Sequence, residues 1–313
     1  MKILISILAI WFVALFLKVF TPSEPSKVVS AGLKRAPRIE IRESSNPTEA
    51  IQNLEEFNFT APEQTGSVTR VYQWNTVGIR GHRLQTGKVR FDISKNELIR
   101  QIASFGVSEE SLSFSYRKGN LARILERKRR AFAKRGILTN GSQYRPDYRW
   151  MIRQSRKPIQ HVSQMLKQSF EKKSGKSGSD LIAYITNFVQ NLDYRIPQSP
   201  REWPWKPQLQ IVNCGVNMPL ETLYNGWGDC DSKSVLLATL LGNLGNINTV
   251  FLEGNRHAFI GIAGMPGRNE HFVTHRNIKY RLIETTTPYP IGKISKKSWT
   301  GIQKEQFQVY QVQ

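Results

Sequence analysis

The sequence predicts an α+β fold, and three observations carry that prediction. Stretches with apolar residues at helical spacing are interspersed with short β-branched runs bounded by glycine. A Leu-rich helical pattern near residues 230–243 is followed by strand patterns rather than by another helix. Hydrophobic residues make up 39% of 313, enough for a core despite a net charge of +21. That length accommodates one generous domain or two modest ones and excludes a miniature disulfide scaffold. Two cysteines cannot complete a four-cysteine zinc site.

Residues 1–20 are apolar from Ile3 to Phe20 except for Lys18, whose ammonium can reach an interface. That length spans a bilayer, so an N-terminal transmembrane anchor is expected. The rival is a cleaved signal, with Val29-Ser30-Ala31 as the nearest small-residue site. Lys2 stands alone before the segment, and Lys27, Lys34, Arg35 and Arg38 follow it, which favours a cytoplasmic body. Short N-terminal anchors behaving as uncleaved export signals favour the opposite side. The expected localisation is a membrane-anchored protein with a periplasmic or extracytoplasmic body, the cytoplasmic-facing body being the alternative.

Residues 21–65 read as a proline-containing polar tether. Residues 66–175 read as a basic region of mixed α and β structure. Within it, Val68 to Ile93 suggests a small antiparallel element interrupted by Gly78, Gly81 and Gly87, with Trp74 structural. Ser94 and Glu97 have capping-box spacing ahead of a helix to about Phe105. Strands are expected within 107–116, then a helix over LARILERKRRAFAKRG with Leu121, Leu125 and Phe132 on its apolar side. EKKSGKSGSD reads as a loop, DLIAYITNFVQNLDY as a helix ending near Tyr194, and RIPQSPREWPWKP as irregular chain. GKSGS lacks the spacing of a phosphate-binding loop.

Residues 101–200 carry 19 basic and 7 acidic side chains, against 12 and 8 in 201–313, so most of the charge excess lies away from the chemically informative stretch. No zinc-finger, phosphate-loop or base-reading pattern accompanies it, and nucleic acid is not expected as a partner. A solvated face or attraction to an anionic surface accounts for these charges.

Residues 176–313 form the expected catalytic domain. In NMPLETLYNGWGDCDSKSVLLATLLGNLG, a bend at Gly226 and Gly228 delivers Cys230 to the front of a helix. The positive end of that helix can lower the thiol pKa, and a nearby imidazole can hold the thiolate as an ion pair. A buried inert cysteine and a Cys214–Cys230 disulfide are the competing readings. His257 precedes a short apolar strand, and Glu284 lies toward the end of another. The order Cys, His, acid suits a nucleophile, a general base and a carboxylate that fixes the imidazole tautomer. Asp229 and Asp231 oppose a thiolate if they point inward, so they are expected to point elsewhere, with Asp231 capping the helix and Lys233 offsetting the charge. Glu221 is expected to fasten the approach loop to a basic side chain. His271 and His275 have i, i+4 spacing but no third ligand, and neither a metal nor another cofactor is expected.

From about Asp180 to Gly292 the combination LETLYNGWGDCDSKSVLLATLLGNLG, RHAFIGI and YRLIETT resembles the bacterial transglutaminase-like, papain-related thiol enzymes. The resemblance implies a papain-like core, its Cys-bearing helix packed against an antiparallel sheet. It implies Cys230 as nucleophile, His257 as acid/base and Glu284 in the place usually held by Asp. Asn255 or another acid is the alternative to Glu284, and Phe259 stands where Trp is often found. The implied activity is attack on amide bonds through an acyl-thioester, as a peptidase or amidase. Transamidation and a catalytically inactive binding module are the alternatives. The Cys230 backbone N–H is the first oxyanion donor, with Gln190, Trp203, Trp205 and Trp227 as candidates for the second. Expected partners are a peptide, protein or cell-wall-like amide substrate, an anionic surface, and a membrane through residues 3–20; the oligomeric state is left open.

Overall fold

The computed structural model describes residues 39–44, 62–76, 86–140, 143–174, 178–204, 206–245, 247–254 and 256–312. After β1 (Ile41–Glu43), an antiparallel hairpin pairs β2 (Ser67–Asn75) with β3 (Thr86–Ser94). Alternation along β3 turns Val89, Phe91 and Ile93 inward. Trp74 is buried, its ring 5.0 Å from that of Tyr184 and 5.1 Å from that of Phe188. Ser94 caps α1 (Lys95–Ser104) by accepting from the Glu97 N–H at 3.4 Å. Two short strands follow, β4 (Val107–Ser108) and β5 (Phe114–Tyr116). Helix α2 (Leu121–Lys134) buries Ile124 and Phe132 and turns most of its bases outward. Lys128 is the exception, buried with its ammonium donating to the Leu112 carbonyl at 2.8 Å.

Beyond the hairpin of β6 (Ile137–Thr139) and β7 (Tyr144–Pro146) come two helices that the sequence reading did not assign, α3 (Tyr148–Ser155) and α4 (Gln160–Ser174). Val162, Leu166 and Phe170 of α4 are buried at i, i+4, i+8. Helix α4 runs into the first four residues of the EKKSGKSGSD segment expected to be loop, and the next helix takes its last three. Helix α5 (Gly178–Gln190) stops short of the expected Tyr194, because Asp193–Tyr194 forms a strand, β8. The proline-rich stretch is also more regular than expected: β9 (Arg201–Trp203) and β10 (Lys206–Val212) pair antiparallel, with a register shift between Lys206 and Gln210. They lead into α6 (Pro219–Asn225), β11 (Trp227–Gly228) and α7 (Cys230–Gly242).

The largest sheet contains β12 (Thr249–Gly254), β13 (His257–Ala263), β14 (Phe272–His275), β15 (Ile278–Ile283) and, after α8 (Lys296–Gln303), β16 (Phe307–Gln311). Its order is β14-β15-β13-β12-β16, antiparallel throughout. Both faces are covered. Phe251, Ala258, Ile260 and Ile283 join the main core, while Val250, Leu252, Phe259 and Leu282 join a second cluster with Trp299 and Ile302 of α8. Double burial explains why these strands read as near-continuous apolar runs. Helix α7 packs on β13 and against α3, α5 and α6. Its residues from Ser232 to Leu241 are all buried, as for a helix enclosed on every side. All described residues belong to one compact unit, Gly32–Gln313, and its main buried cluster runs from Trp74 to Ile283.

The architecture is thus α+β with several small sheets, and the expectation of an N-terminal transmembrane helix requires correction. Among the described residues no helix is long and apolar enough to cross a membrane. Residues 1–20, whose apolar run suggested the anchor, lie outside the described residues, as do Gly78, Gly81, Trp205 and Asn255. The membrane as a partner through residues 3–20, and with it the membrane-anchored localisation, are corrected on the same ground.

Candidate active site

The approach to Cys230 is fixed from several sides. Glu221 of α6 receives both guanidinium arms of Arg201, at 2.5 and 3.4 Å. Tyr72 of the β2–β3 hairpin donates to the Leu223 carbonyl. Helix α6 ends at Gly226, whose φ of 75° suits a residue without a Cβ and whose N–H returns to the Thr222 carbonyl at 2.9 Å. Gly228 must also be small, since a Cβ there would lie 2.9 Å from Ser232 Cβ. Asp229 then caps α7, accepting from the Ser232 N–H at 3.0 Å and the Ser232 hydroxyl at 2.6 Å. Cys230 is consequently the first residue of the helix.

Asp229, not Asp231, provides the cap. Asp231 turns toward the cysteine: the Cys230 thiol donates to Asp231 Oδ1 at 3.8 Å, and the Tyr148 hydroxyl bonds to the same carboxyl group. Burial, followed by the charges of Asp231 and Asp229, pushes the Cys230 thiol well above its ordinary pKa; the N–H groups of Ala258 and Asp231 act in the opposite direction. The helix end and its donors are therefore overridden, and the resting sulfur is a neutral thiol rather than a preformed thiolate. Lys233 does not offset the charge at the sulfur, because its buried ammonium donates to the carbonyls of Gln190 and Leu192, at 3.1 and 2.8 Å.

His257 opens β13, and Glu284 directly follows β15. His257 Nε2 lies 2.9 Å from Glu284 Oε2. The other carboxylate oxygen accepts from the Thr285 N–H at 3.0 Å, the Thr286 N–H at 3.1 Å and the Thr286 hydroxyl at 2.8 Å. Burial raises the Glu284 pKa, but the His257 hydrogen bond and charge, together with the Thr286 donors, outweigh it and hold the carboxyl below its usual value. An ionised carboxylate only accepts, so Nε2 carries the proton and Nδ1 is left as the ring's basic atom.

Ser234, one turn beyond Cys230, ties the helix to both partners. Its hydroxyl donates to the Ala258 carbonyl at 3.3 Å and lies 3.1 Å from Thr285 Oγ1. These are the neighbours of His257 and Glu284, so the three predicted site residues occupy one end of the α7–sheet interface. His257 and Glu284 are joined directly. Cys230 and His257 are not hydrogen-bonded to each other, and its contact with β13 is through the Ala258 N–H.

The candidates for a second oxyanion donor fare differently. Gln190 Nε2 is committed to the carbonyls of Glu284 and Tyr289, at 2.8 and 2.9 Å. Trp203 is buried with Ala103 and Ile211, and Trp227 lies beneath the Arg195 guanidinium, 5.0 Å from its ring centroid. Phe259 is fully buried in the second cluster, so it packs behind His257 and does not form an open cleft wall. Tyr194, which no sequence signal marked, lies opposite Gly228 in the β8–β11 pair.

Both cysteines are free, which excludes the Cys214–Cys230 disulfide. Burial and the charges of Asp231 and Glu253 push the Cys214 thiol up to about 12, so it remains protonated. His271 stacks on Trp299 at 4.6 Å and accepts from the Ile294 N–H at 3.3 Å, a packing role. Asp229, Cys230 and Asp231 place potential ligand atoms within 4.8 Å of one another, but Asp229 is occupied as a cap and Asp231 by the thiol and Tyr148. No family model, curated protein or solved structure matches this chain.

Proposed function

We propose that the protein is a thiol acyl-transfer enzyme that attacks amide bonds, a peptidase or amidase resembling the transglutaminase-like, papain-related enzymes. Cys230 is the nucleophile, His257 the acid/base and Glu284 the carboxylate that orients the imidazole. One observation carries this reading: the His257–Glu284 hydrogen bond of 2.9 Å beside a helix-leading cysteine, with the far carboxylate oxygen held by three donors. That arrangement sets the tautomer that general-base chemistry needs.

Because the resting thiol is neutral, proton removal accompanies attack. Nδ1 of His257 takes the thiol proton as sulfur bonds to the carbonyl carbon, and the carbonyl π electrons move to oxygen. The intermediate collapses by re-forming the carbonyl and expelling the amine, which receives the proton from His257. Water attacks the thioester with His257 again as base, releasing the acid and restoring the thiol. Because Cys230 and His257 are not hydrogen-bonded at rest, proton transfer requires them to close together on substrate, as is common before catalytic contacts tighten.

Hydrolysis of a panel of peptide 4-nitroanilides tests the proposal. Release of 4-nitroaniline by wild type and its loss in C230A and H257A is expected. Adding a primary amine and identifying the acyl product separates hydrolysis from transamidation.

A second reading, a binding module that keeps this arrangement without turnover, is favoured by the raised thiol pKa and the carboxylates beside it. Iodoacetamide labelling distinguishes the two. Labelling of Cys230 that slows in H257A supports the enzyme, whereas slow labelling at equal rates supports the module.

A further inference from the structure

Tyr194 is paired with the segment that leads into the proposed nucleophile. It is 57% exposed, and among the described residues its hydroxyl makes no hydrogen bond. Its backbone is nonetheless fixed. Tyr194 sits opposite Gly228 in the parallel β8–β11 pair, and this pairing is closed on both sides by Asp193 N–H to the Gly226 carbonyl at 3.0 Å and Arg195 N–H to the Gly228 carbonyl at 3.3 Å. The same short segment, through Asp229, leads directly into Cys230.

We propose that the Tyr194 hydroxyl is the second oxyanion donor, acting with the Cys230 backbone N–H when the sulfur attacks a carbonyl. This inference rests on the thiol acyl-transfer reading above. Burial, and then the negative charges of Cys230, Asp229, Asp231 and Glu284, push the phenol up to about 12. The proton therefore stays on the oxygen at neutral pH, as a donor requires, and Cys230 is among the groups whose charge acts on the phenol. Two of the other candidates are otherwise engaged: the Gln190 amide holds two carbonyls, and Trp203 is buried in a separate cluster. In the step itself, the Cys230–carbon bond forms while the carbonyl π pair becomes an oxygen lone pair. Tyr194 stabilises that charge without transferring its proton.

Two electrophiles isolate the role. 4-Nitrophenyl acetate acylates a thiol through a tetrahedral oxyanion and expels 4-nitrophenolate, whereas iodoacetamide alkylates by displacement of iodide and forms no oxyanion. In Y194F the rate of Cys230 acetylation is expected to fall roughly a hundredfold, with iodoacetamide alkylation of Cys230 unchanged. The alkylation rate also reports that the variant retains an intact site. Acetylation at the wild-type rate in Y194F overturns the donor role, and so does an equal fall with both reagents, which would place the effect on the sulfur. If wild-type Cys230 is not acetylated at all while C230A reacts equally, the nucleophile reading itself fails and the donor role fails with it.

Discussion

Glu284 and His257 form a pair in which one carboxylate oxygen meets Nε2 at 2.9 Å while the other is held by Thr285 and Thr286. The carboxylate cannot rotate away without abandoning three donors, so the imidazole is steadied from a rigid base. Glu284→Gln keeps the shape but presents an amide that can also donate, allowing the wrong tautomer. Amide or ester turnover is expected to fall by about 10²- to 10⁴-fold, measured as kcat/KM against pH.

The same pair gives a pH dependence of stability with a defined sign. The folded-state pKa of Glu284 is lowered, so its contribution is present above the ordinary carboxylate range and is lost as pH falls through the folded value. Urea unfolding of wild type and Glu284→Gln should therefore show a stability gap at neutral pH that narrows on acidification. A gap that widens toward acid would contradict this assignment.

Cys230 should alkylate slowly at neutral pH and accelerate above the ordinary thiol range, because burial and the neighbouring carboxylates raise its pKa. Burial and the Asp229 charge also push the Asp231 carboxyl well above its ordinary value, so it opposes the thiolate once it is ionised, and Asp231→Asn shifts the iodoacetamide profile toward lower pH in that range. An unchanged profile would mean that Asp231 does not act on the sulfur.

Ser234→Ala removes the tie between α7 and Ala258 and Thr285, the neighbours of His257 and Glu284. Its cost in stability is expected to be about 1 kcal/mol. Turnover should fall further than alkylation of Cys230, because the variant loosens the relation between sulfur and imidazole but leaves the thiol in place.

Trp74→Ala provides a contrast far from the chemistry. Loss of a buried indole packed against Tyr184 and Phe188 should cost about 3–5 kcal/mol, read as a lower Tm. The variant that remains folded should alkylate at Cys230 with an unchanged pH profile.

The elements that carry the site were legible because they lie at marked boundaries. Gly226 and Gly228 precede a Leu-rich run, and His257 and Glu284 adjoin apolar runs whose continuity reflects burial on both sheet faces. The electrostatics of Cys230 were not legible, since they depend on burial and on Asp231 turning inward to meet Tyr148, far away in sequence. Tyr194 was hidden for a similar reason: only the β8–β11 pairing brings it beside Gly228. Helix α4 did carry a signal in Val162, Leu166 and Phe170, but Pro158 and the surrounding basic and polar residues obscured it. The N-terminal apolar run was read from length and hydropathy alone, and the described residues contain no membrane-spanning helix to support that reading.

The most direct test is to mix the protein with 4-nitrophenyl acetate, quench in acid, and locate the acetyl group by peptide mass mapping over time. The account predicts a transient acetyl-thioester on Cys230 in wild type, absent in C230A and formed far more slowly in H257A. An unmodified Cys230, or acetylation at the same rate without the imidazole, would contradict it.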